Sequence, residues 1–163
     1  MTIRPIVRFP DPRPRQKAAE VTAFDDALKA LAADLLETMR AAPGVGITGP
    51  HIGVMLRVVV IELGGDVRTY VNPVVEWSSA EMTRIAEGSI SMPGLNEEVE
   101  RPARVRVRFR DLDGVEQVEE ADGFRATCLQ HEIDQLDGIF WIDRLSRLKR
   151  DRLTKRFAKL GRA

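Results

Sequence analysis

The sequence predicts an α+β domain in which a mixed or antiparallel β-sheet surrounds one central helix, with another helix at the C-terminus. Three observations predict this class: a helical period over residues 24–41, strand patterns over 57–61 and 104–120, and a start and a stop signal that bracket a helix at 122–138. With 163 residues, 44% hydrophobic and 31% charged, the chain is long enough to form a core, and we expect a single domain over 1–163.

The first predicted helix covers residues 24–41 and stops before Pro43-Gly44. Its apolar residues recur at the i, i+3, i+4 and i+7 spacing of a helix with one buried face. These residues are Leu28, Leu31, Ala32, Leu35, Leu36 and Met39.

Two segments have the pattern of strands. Residues 57–61 are a β-branched run between turn signals, which favours a buried strand. Residues 104–110 alternate strictly, with valine and phenylalanine on one face and arginine on the other, which predicts a half-buried strand. Asp113-Gly114 then turns the chain back into 115–120 as a hairpin.

The central helix is predicted between Asp122, a suitable N-cap, and Gly138, a suitable C-terminal stop. Its residues 130–136 read Gln-His-Glu-Ile-Asp-Gln-Leu. In the H-E-x-x-H pattern of zinc hydrolases, histidines four residues apart lie about 40° apart around the helix and reach one ion. Here His131 and Glu132 are present, but Gln135 occupies the second histidine position. By itself, this broken pattern favours a surface helix that happens to carry a His-Glu pair.

Two further segments extend the pattern. Residues 44–53 read Gly-Val-Gly-Ile-Thr-Gly-Pro-His-Ile-Gly, and residues 87–94 read Glu-Gly-Ser-Ile-Ser-Met-Pro-Gly. With 130–136, they resemble in order and separation the peptide deformylase motifs G-x-G-L-A-A-x-Q, E-G-C-L-S and Q-H-E-x-D-H-L. The resemblance runs from about Ile3 to the C-terminal helix and implies the same fold. Secondary matches are Pro10-Asp11-Pro12, Val71-Asn72-Pro73 and Asp111-Leu112-Asp113-Gly114.

The resemblance implies a metal site that this chain does not complete. Deformylases hold iron, nickel or zinc through the cysteine of the second motif and both histidines of the third. Ser89 and Gln135 stand at two of these positions, so His131 is the single retained ligand. A serine hydroxyl and a neutral amide are weak ligands beside thiolate and imidazole. We therefore expect no bound metal cofactor.

His51 leaves a second hypothesis open, because it is the only other histidine and stands where the family has a glutamine. With His131 and a third partner such as Ser89, Gln135 or Glu132, it could rebuild a divalent metal site. Otherwise it is a hydrogen-bonding residue of a small polar pocket. Glu132 is the catalytic general base if a metal-bound water is present, and a hydrogen-bonding residue if none is.

The residues implied to bind substrate are better retained than the ligands. Cys128 matches a small residue that lines the methionine pocket, or is a small buried apolar residue. Arg101 matches an arginine near the peptide groove, or is one more surface arginine. The main-chain N–H of Ile90 matches an oxyanion contact. The complete predicted set is Gly44, Gly46, Ile47, His51, Glu87, Gly88, Ile90, Arg101 and Cys128.

The C-terminal segment 146–162 predicts a basic helix capped by Ser146. Deformylases that resemble this chain dock such a helix on the ribosome; the other interpretation is a solvated helix face. Its expected apolar side is Leu148, Leu153, Phe157 and Leu160. Its basic residues are Arg147, Lys149, Arg150, Arg152, Lys155, Arg156, Lys159 and Arg162, against the single acidic Asp151.

The composition limits the expected partners and the expected cellular location. Equal numbers of basic and acidic residues, 25 each, give no indication of a DNA-binding protein. We expect no membrane partner, since no apolar run approaches the roughly 18 residues that cross a bilayer, and no signal peptide. The lone Cys128 excludes an intrachain disulfide and favours the cytoplasm.

Two functions follow. One is an impaired or inactive deformylase homologue that binds a formyl-Met type of peptide N-terminus and associates with the ribosome. The other is an active metal-dependent hydrolase that removes a formyl or other acyl group through an unusual site on His131 and His51. Whether the protein binds a metal ion distinguishes these two hypotheses.

Overall fold

A computed structural model describes residues 2–161. Its strands are β1 (Gly46–Thr48), β2 (Val58–Leu63), β3 (Asp66–Ser78), β4 (Met82–Ser89), β5 (Met92–Pro102), β6 (Arg104–Arg110) and β7 (Glu116–Asp122). Its α-helices are α1 (Asp26–Ala41), α2 (Gly123–Leu136) and α3 (Arg147–Leu160). Within this described range, no helix is long and apolar enough to span a membrane.

All strand pairs are antiparallel, so the sheet is antiparallel rather than mixed. One sheet has five strands in the order β1-β2-β3-β6-β7, and β4 with β5 forms a separate two-stranded sheet. The α+β class is confirmed, and β6 has the predicted bounds. The sequence pattern did not predict β1, β3, β4 or β5. β4 and β5 were missed because they carry charged residues along much of their length and lack a continuous apolar face.

Helix α1 confirms the first helical period. It starts at Asp26 because the Asp25 carboxylate accepts a hydrogen bond from the Leu28 N–H at 3.0 Å. Leu28, Ala32, Leu35 and Met39 are buried against β1 and β2, as the spacing predicted.

Helix α2 lies at the centre of the fold and is buried on most sides. Leu129, Ile133 and Leu136 pack on the five-stranded sheet, where Tyr70 and Val107 complete the core. The opposite side of the helix carries the polar residues of the third motif, which are also buried. A central helix of this kind can therefore present His131 and Glu132 to an interior cavity.

The predicted boundaries of α2 are correct, but Asp122 does not cap as expected. Asp122 occupies the N-cap position, yet its side chain accepts no capping hydrogen bond from residues 2–161. Gly138 does end the helix: its φ of +78° is a conformation that glycine adopts readily, and a Cβ there would overlap the Arg15 carbonyl.

Helix α3 begins as predicted, with the Ser146 hydroxyl accepting from the Lys149 N–H at 3.3 Å. Its predicted apolar side is only half correct. Leu153 is buried and Phe157 packs edge-on against Phe9, whereas Leu148 and Leu160 are 62% and 51% exposed. The helix meets the domain mainly through its middle, so apolar residues near both ends remain in solvent. Arg162 lies outside the described residues.

Candidate functional site

A cavity of about 500 Å³ opens between the two sheets and α2. Its walls are residues 42–46 before and within β1, residues 86–90 at the end of β4, and the polar side of α2. This volume lies within the usual range for small-ligand sites, about 300–1,000 Å³. Much of the lining is apolar, and Val45 and Phe124 are partly exposed there. Neither residue was singled out from the sequence, which does not indicate which apolar residues remain exposed.

The three sequence motifs converge on this cavity although they are far apart in the chain. Ile47 is an exception: it is fully buried in the core between α1 and β2, because strand alternation places it on the opposite face from Gly46. Arg101 and Gln135 also lie outside the lining. The predicted residues that do line it are Gly44, Gly46, His51, Glu87, Gly88, Ser89, Ile90, Cys128, His131 and Glu132.

His131 lies between two carboxylates, one of which is hydrogen-bonded to its ring. Its Nδ1 lies 2.8 Å from Glu87 Oε1, and its Nε2 lies 3.5 Å from Glu132 Oε1. Burial lowers the pKa of His131, but the charge of Glu132 and the hydrogen bond to Glu87 outweigh it, so the net pKa is raised. Burial raises the pKa of Glu132 to about 6, and the nearby His131 opposes this shift. His131 and Glu132 therefore form a closely coupled acid–base pair.

Glu87 is fixed by Arg101, which is 4% exposed. Arg101 donates through Nε to Glu87 Oε2 at 2.6 Å and through Nη2 to Glu87 Oε1 at 3.0 Å. Its Nη1 donates to Asp134 Oδ2 at 2.8 Å, and Arg144 holds the same carboxylate from the outside. Such paired donors keep Glu87 ionised, so Nδ1 of His131 must be the donor in their hydrogen bond.

This arrangement overturns one of the two sequence interpretations of Arg101. It is not a surface arginine, and its guanidinium does not line the cavity but lies behind the wall, bound to the lining residue Glu87. Burial and two carboxylate partners determine its position. The Glu87 and Asp134 partners come from positions 14 and 33 residues away, so no local sequence pattern could have revealed the network.

His51 is buried beside β1 and its ring orientation is fixed by Thr48. The Thr48 N–H donates to His51 Nδ1 at 2.9 Å, and Thr48 Oγ1 is also 2.9 Å from that atom. Burial and the neighbouring His131 lower the pKa of His51 to about 3, so the ring is neutral. Since Nδ1 accepts a main-chain hydrogen bond, the single ring proton is on Nε2. That Nε2 has no hydrogen-bond partner among residues 2–161.

Two glycines allow the cavity walls to approach each other. A Cβ on Gly46 would lie 3.1 Å from the Glu132 carboxyl, and a Cβ on Gly44 would overlap Ile90 Cγ2 at 2.6 Å. At both glycines, the closely approaching atoms belong to other residues of this chain. Within the described chain, Oε2 of Glu132 also lacks a hydrogen-bond partner.

The side chains at the expected ligand positions do not fit iron, nickel or zinc. Ser89 Oγ lies 2.9 Å from Ser91 Oγ and accepts from the Ser91 N–H at 3.2 Å. Gln135 donates to the Pro14 carbonyl at 2.9 Å and is outside the cavity lining, because its long amide reaches away from the imidazole one turn earlier. In residues 2–161, no three His, Cys, Asp or Glu side chains are grouped to hold an ion. One imidazole and neutral oxygens are a poor donor set for these metals.

Cys128 lines the cavity as a thiol of low reactivity. Its pKa is raised to about 12, mainly by burial. The negative charges of Glu132 and Glu87 add to this rise, and the positive charges of Arg125 and Arg101 oppose it more weakly. Because the thiolate is the reactive form, Cys128 contributes a small apolar surface.

Known proteins resemble this chain along nearly its whole length. The polypeptide deformylase family matches residues 3–151. A peptide deformylase-like protein of Bradyrhizobium diazoefficiens is 64% identical, over 99% of this chain and 96% of its own. A peptide deformylase of Brucella suis is 44% identical, over 99% of this chain and 95% of its own. The crystal structure of a peptide deformylase from Legionella pneumophila superposes with a TM-score of 0.94 at 38% identity, covering 99% of this chain and 96% of its own.

Proposed function

Because the chain belongs to the polypeptide deformylase family, we propose that it binds a peptide N-terminus in the cavity without efficiently hydrolysing a formyl group. The proposal rests on one observation: the side chains at two of the expected ligand positions are hydrogen-bonded to other protein groups. Ser89 is hydrogen-bonded to Ser91, and Gln135 to Pro14. Glu132 is then a general base with no metal-activated water to deprotonate.

Peptide binding is supported by the features that surround the lost metal site. β1 is the outermost strand of its sheet, and Gly46 places it on the cavity wall, where an extended peptide can pair with the strand edge. The His51 Nε2–H and the Glu132 Oε2 are buried polar atoms without partners in the described chain. Val45 and Phe124 provide exposed apolar surface for side chains of the peptide.

The similarity pattern also supports a divergent role. The relative named peptide deformylase-like is 64% identical, against 44% for a relative named peptide deformylase. This chain therefore shares more with the former, whose name already separates it from the enzymes.

A deformylase assay on protein purified without added metal tests the proposal. We expect amine release from a formyl-Met tripeptide to stay at background, with Glu132→Gln no slower than the wild type. The Brucella suis peptide deformylase serves as the positive control. A wild-type rate above background that drops in both Glu132→Gln and His131→Ala would establish the alternative, an active hydrolase with a metal site on His131 and His51.

Binding is measured separately by calorimetry with the same tripeptide. We expect one site per chain, and a bulky residue at Gly46 to abolish binding because the β1 wall would be displaced from Glu132. Gly161→Ala is a matched glycine control, since this residue is outside the cavity lining, has a helical φ of −69°, and a Cβ there would make only ordinary contacts. No detectable binding by the wild type would refute the proposal.

We further propose that α3 associates with the ribosome. Seven of its residues are basic, and Lys149–Glu97 at 3.4 Å is the one ion pair that they form in residues 2–161. A groove of about 340 Å³ beside β5 is lined by Glu97 and its partner Lys149, by Leu153, and by Arg152, Lys155 and Arg156. The last three cations form no ion pair within residues 2–161, and unpaired cations at a groove suit the phosphates of RNA.

Co-sedimentation with ribosomes at increasing salt tests this association. We expect binding at low salt that weakens steeply as salt rises, and loss of binding when Arg152, Lys155 and Arg156 are all changed to glutamate. The matched control changes Arg84, Arg104 and Arg110 to glutamate on the strands. Equal binding by both triple variants would contradict a role for α3.

A further inference from the structure

A second groove lies on another side of α2 and shares no lining residue with the cavity. We propose that this groove binds a short peptide with a free amino end and a free carboxyl end, antiparallel to an unpaired edge of β3. It is a separate binding site, and its existence does not depend on the peptide binding proposed for the cavity.

The groove runs along one edge of β3 that has no partner strand. Strand β2 pairs only with Asp66–Val71 of β3, and β6 pairs with the other edge of the strand. On the β2 side, the stretch 73–78 therefore has no strand partner among residues 2–161. Pro73 has no N–H to leave unpaired there, which is common at a free edge. From Val74 onward, alternate residues offer main-chain groups to an added strand.

The size of the groove fits about five extended residues. Its volume is about 590 Å³, within the usual range of about 300–1,000 Å³ for ligand sites. The stretch 73–78 is about 20 Å long at about 3.4 Å per residue, which is the length of a peptide of about five or six residues. Pro73, Val75, Met82 and Ile133 supply apolar surface for its side chains.

The ionic groups on the floor of the groove are already paired with each other. The side chain of Arg57 is 10% exposed and donates to Asp137 at 2.8 Å. Arg101 and Arg144 both bind the Asp134 carboxylate. These pairs leave little unmatched charge on the floor, so the charge of a ligand is selected elsewhere in the groove.

Two charges of the lining remain without a close partner. Within residues 2–161, Lys17 forms no ion pair, and Glu100 makes only a contact of 3.6 Å with the exposed Arg84. Both side chains are therefore available to a charged ligand.

Lys17 lies at the Pro73 end of the groove. Just after it in the chain, the Ala19 carbonyl accepts from the Arg57 N–H at 3.0 Å. The Arg57 carbonyl accepts in turn from the Asn72 N–H at 2.9 Å. These hydrogen bonds hold the segment that carries Lys17 beside the start of the free edge.

Glu100 lies at the opposite end, near Ser78. Strand β3 continues through residues 79–81 into β4, whose first residue, Met82, pairs with Pro102 of β5. Glu100 is two residues before Pro102 on the same strand and lines the groove with Met82. One end of the groove is therefore basic and the other acidic.

A free peptide that runs antiparallel to β3 matches both ends. Its carboxylate would lie near Lys17 and its ammonium group near Glu100, while its main chain pairs with the free edge. A parallel peptide would bring like charges together at both ends. A segment within a longer chain has no terminal charges to offer to these two residues.

An NMR titration of the labelled amides with the free pentapeptide Ala-Val-Thr-Val-Ala locates the site. We expect shifts along Val74–Ser78 and none at Gly44 or Gly46, with a Kd of about 1 mM or below. Gly46→Phe, which fills the cavity wall, should show the same shifts, and if it does not fold the wild-type pattern decides alone. No shift along β3, or shifts confined to the cavity, would overturn the proposal.

Charge reversal tests each end separately. Lys17→Glu should weaken the free peptide by about threefold or more and leave its C-terminal amide unaffected. Glu100→Lys should weaken the free peptide to a similar extent and leave its N-acetyl form unaffected. Lys29→Glu on α1, where the lysine side chain is 53% exposed, is the matched control and should bind like the wild type.

Two modified peptides complete the test on the wild type. The pentapeptide with N-methyl groups on its internal amides should not bind, because it cannot pair with a strand edge. The pentapeptide acetylated at one end and amidated at the other should bind more weakly than the free form. Equal affinity of the capped and free forms would refute recognition of free ends and indicate an internal segment of a longer chain as the ligand.

Discussion

His131 donates through Nδ1 to Oε1 of Glu87 at 2.8 Å, across 44 positions of sequence. This contact joins the third motif on α2 to the second motif on β4, and Arg101 keeps the carboxylate in place from behind. The imidazole of His131 is therefore fixed in the cavity, whereas Ser89 and Gln135 are hydrogen-bonded to Ser91 and Pro14. The metal content, the stability and the side-chain reactivity of the protein each test this arrangement.

The metal content of the native protein is the first prediction. Protein purified without added metal should contain well below one equivalent of iron, nickel or zinc by elemental analysis, since Ser89 and Gln135 are neutral and hydrogen-bonded elsewhere. A full equivalent that survives mild chelation would contradict it.

Restoring the ligands should restore the metal. We expect Ser89→Cys with Gln135→His to bind one zinc ion, with sulfur at about 2.3 Å and nitrogen at about 2.0–2.1 Å by X-ray absorption. Each single variant is the control and should bind far more weakly. If the double variant binds no metal, the backbone around Ser89 or α2 departs from the family geometry.

The buried ion network should contribute strongly to stability. Arg101→Met would leave the Glu87 carboxylate buried without its bidentate partner, and we expect a loss of about 3–5 kcal/mol in the free energy of unfolding by urea. Arg84→Met is the matched control: its pair with Glu100 is 3.6 Å long with side chains 67% and 51% exposed. That variant should lose less than about 1 kcal/mol. Similar losses in both would contradict the network.

The pH dependence of stability should include a contribution from His51. Its folded pKa is about 3, whereas the unfolded value is about 6.5, so below pH 6.5 the unfolded chain binds more protons than the folded one. The stability from neutral His51 is complete above pH 6.5 and is lost as the pH falls toward 3, by up to about 1.4 kcal/mol per pH unit. Urea unfolding of the wild type and of His51→Gln from pH 4 to 7.5 measures this contribution. We expect the free energy of unfolding to fall more steeply toward acid pH in the wild type than in the variant. Parallel profiles would be inconsistent with a buried neutral His51.

The thiol of Cys128 should react slowly with alkylating reagents in the folded protein. With a pKa of about 12, its thiol should react with iodoacetamide at pH 8 far more slowly than a free cysteine, whose pKa is about 8.5. Unfolding in urea should restore the ordinary rate, and the chain has no other cysteine to confuse the measurement. Glu132→Gln should speed the folded reaction modestly, since burial is the larger cause. A folded rate equal to the unfolded one would show that Cys128 is accessible and ionisable.

The sequence by itself determined features that depend on local order. The period of 24–41 gave α1, the alternation of 104–110 gave β6, and Gly138 gave the end of α2. The order and spacing of three motifs indicated the family, which is confirmed, and predicted that Ser89 and Gln135 stand at ligand positions. Helical and strand periods are set by neighbouring residues, so they are visible in the chain itself.

Only the tertiary structure decided the partner of each polar side chain. Arg101 is buried because β4, β5 and α2 bring Glu87 and Asp134 to it. Gln135 reaches Pro14, 121 positions away, and Ile47 faces the core because strand alternation around Gly46 directs it there. The proton of His51 is fixed by a main-chain N–H, which every residue but proline carries and which leaves no trace in the sequence. Donor, acceptor and ligand roles depend on which groups come into contact after the sheets and helices pack. Local sequence patterns do not reveal these long-range contacts.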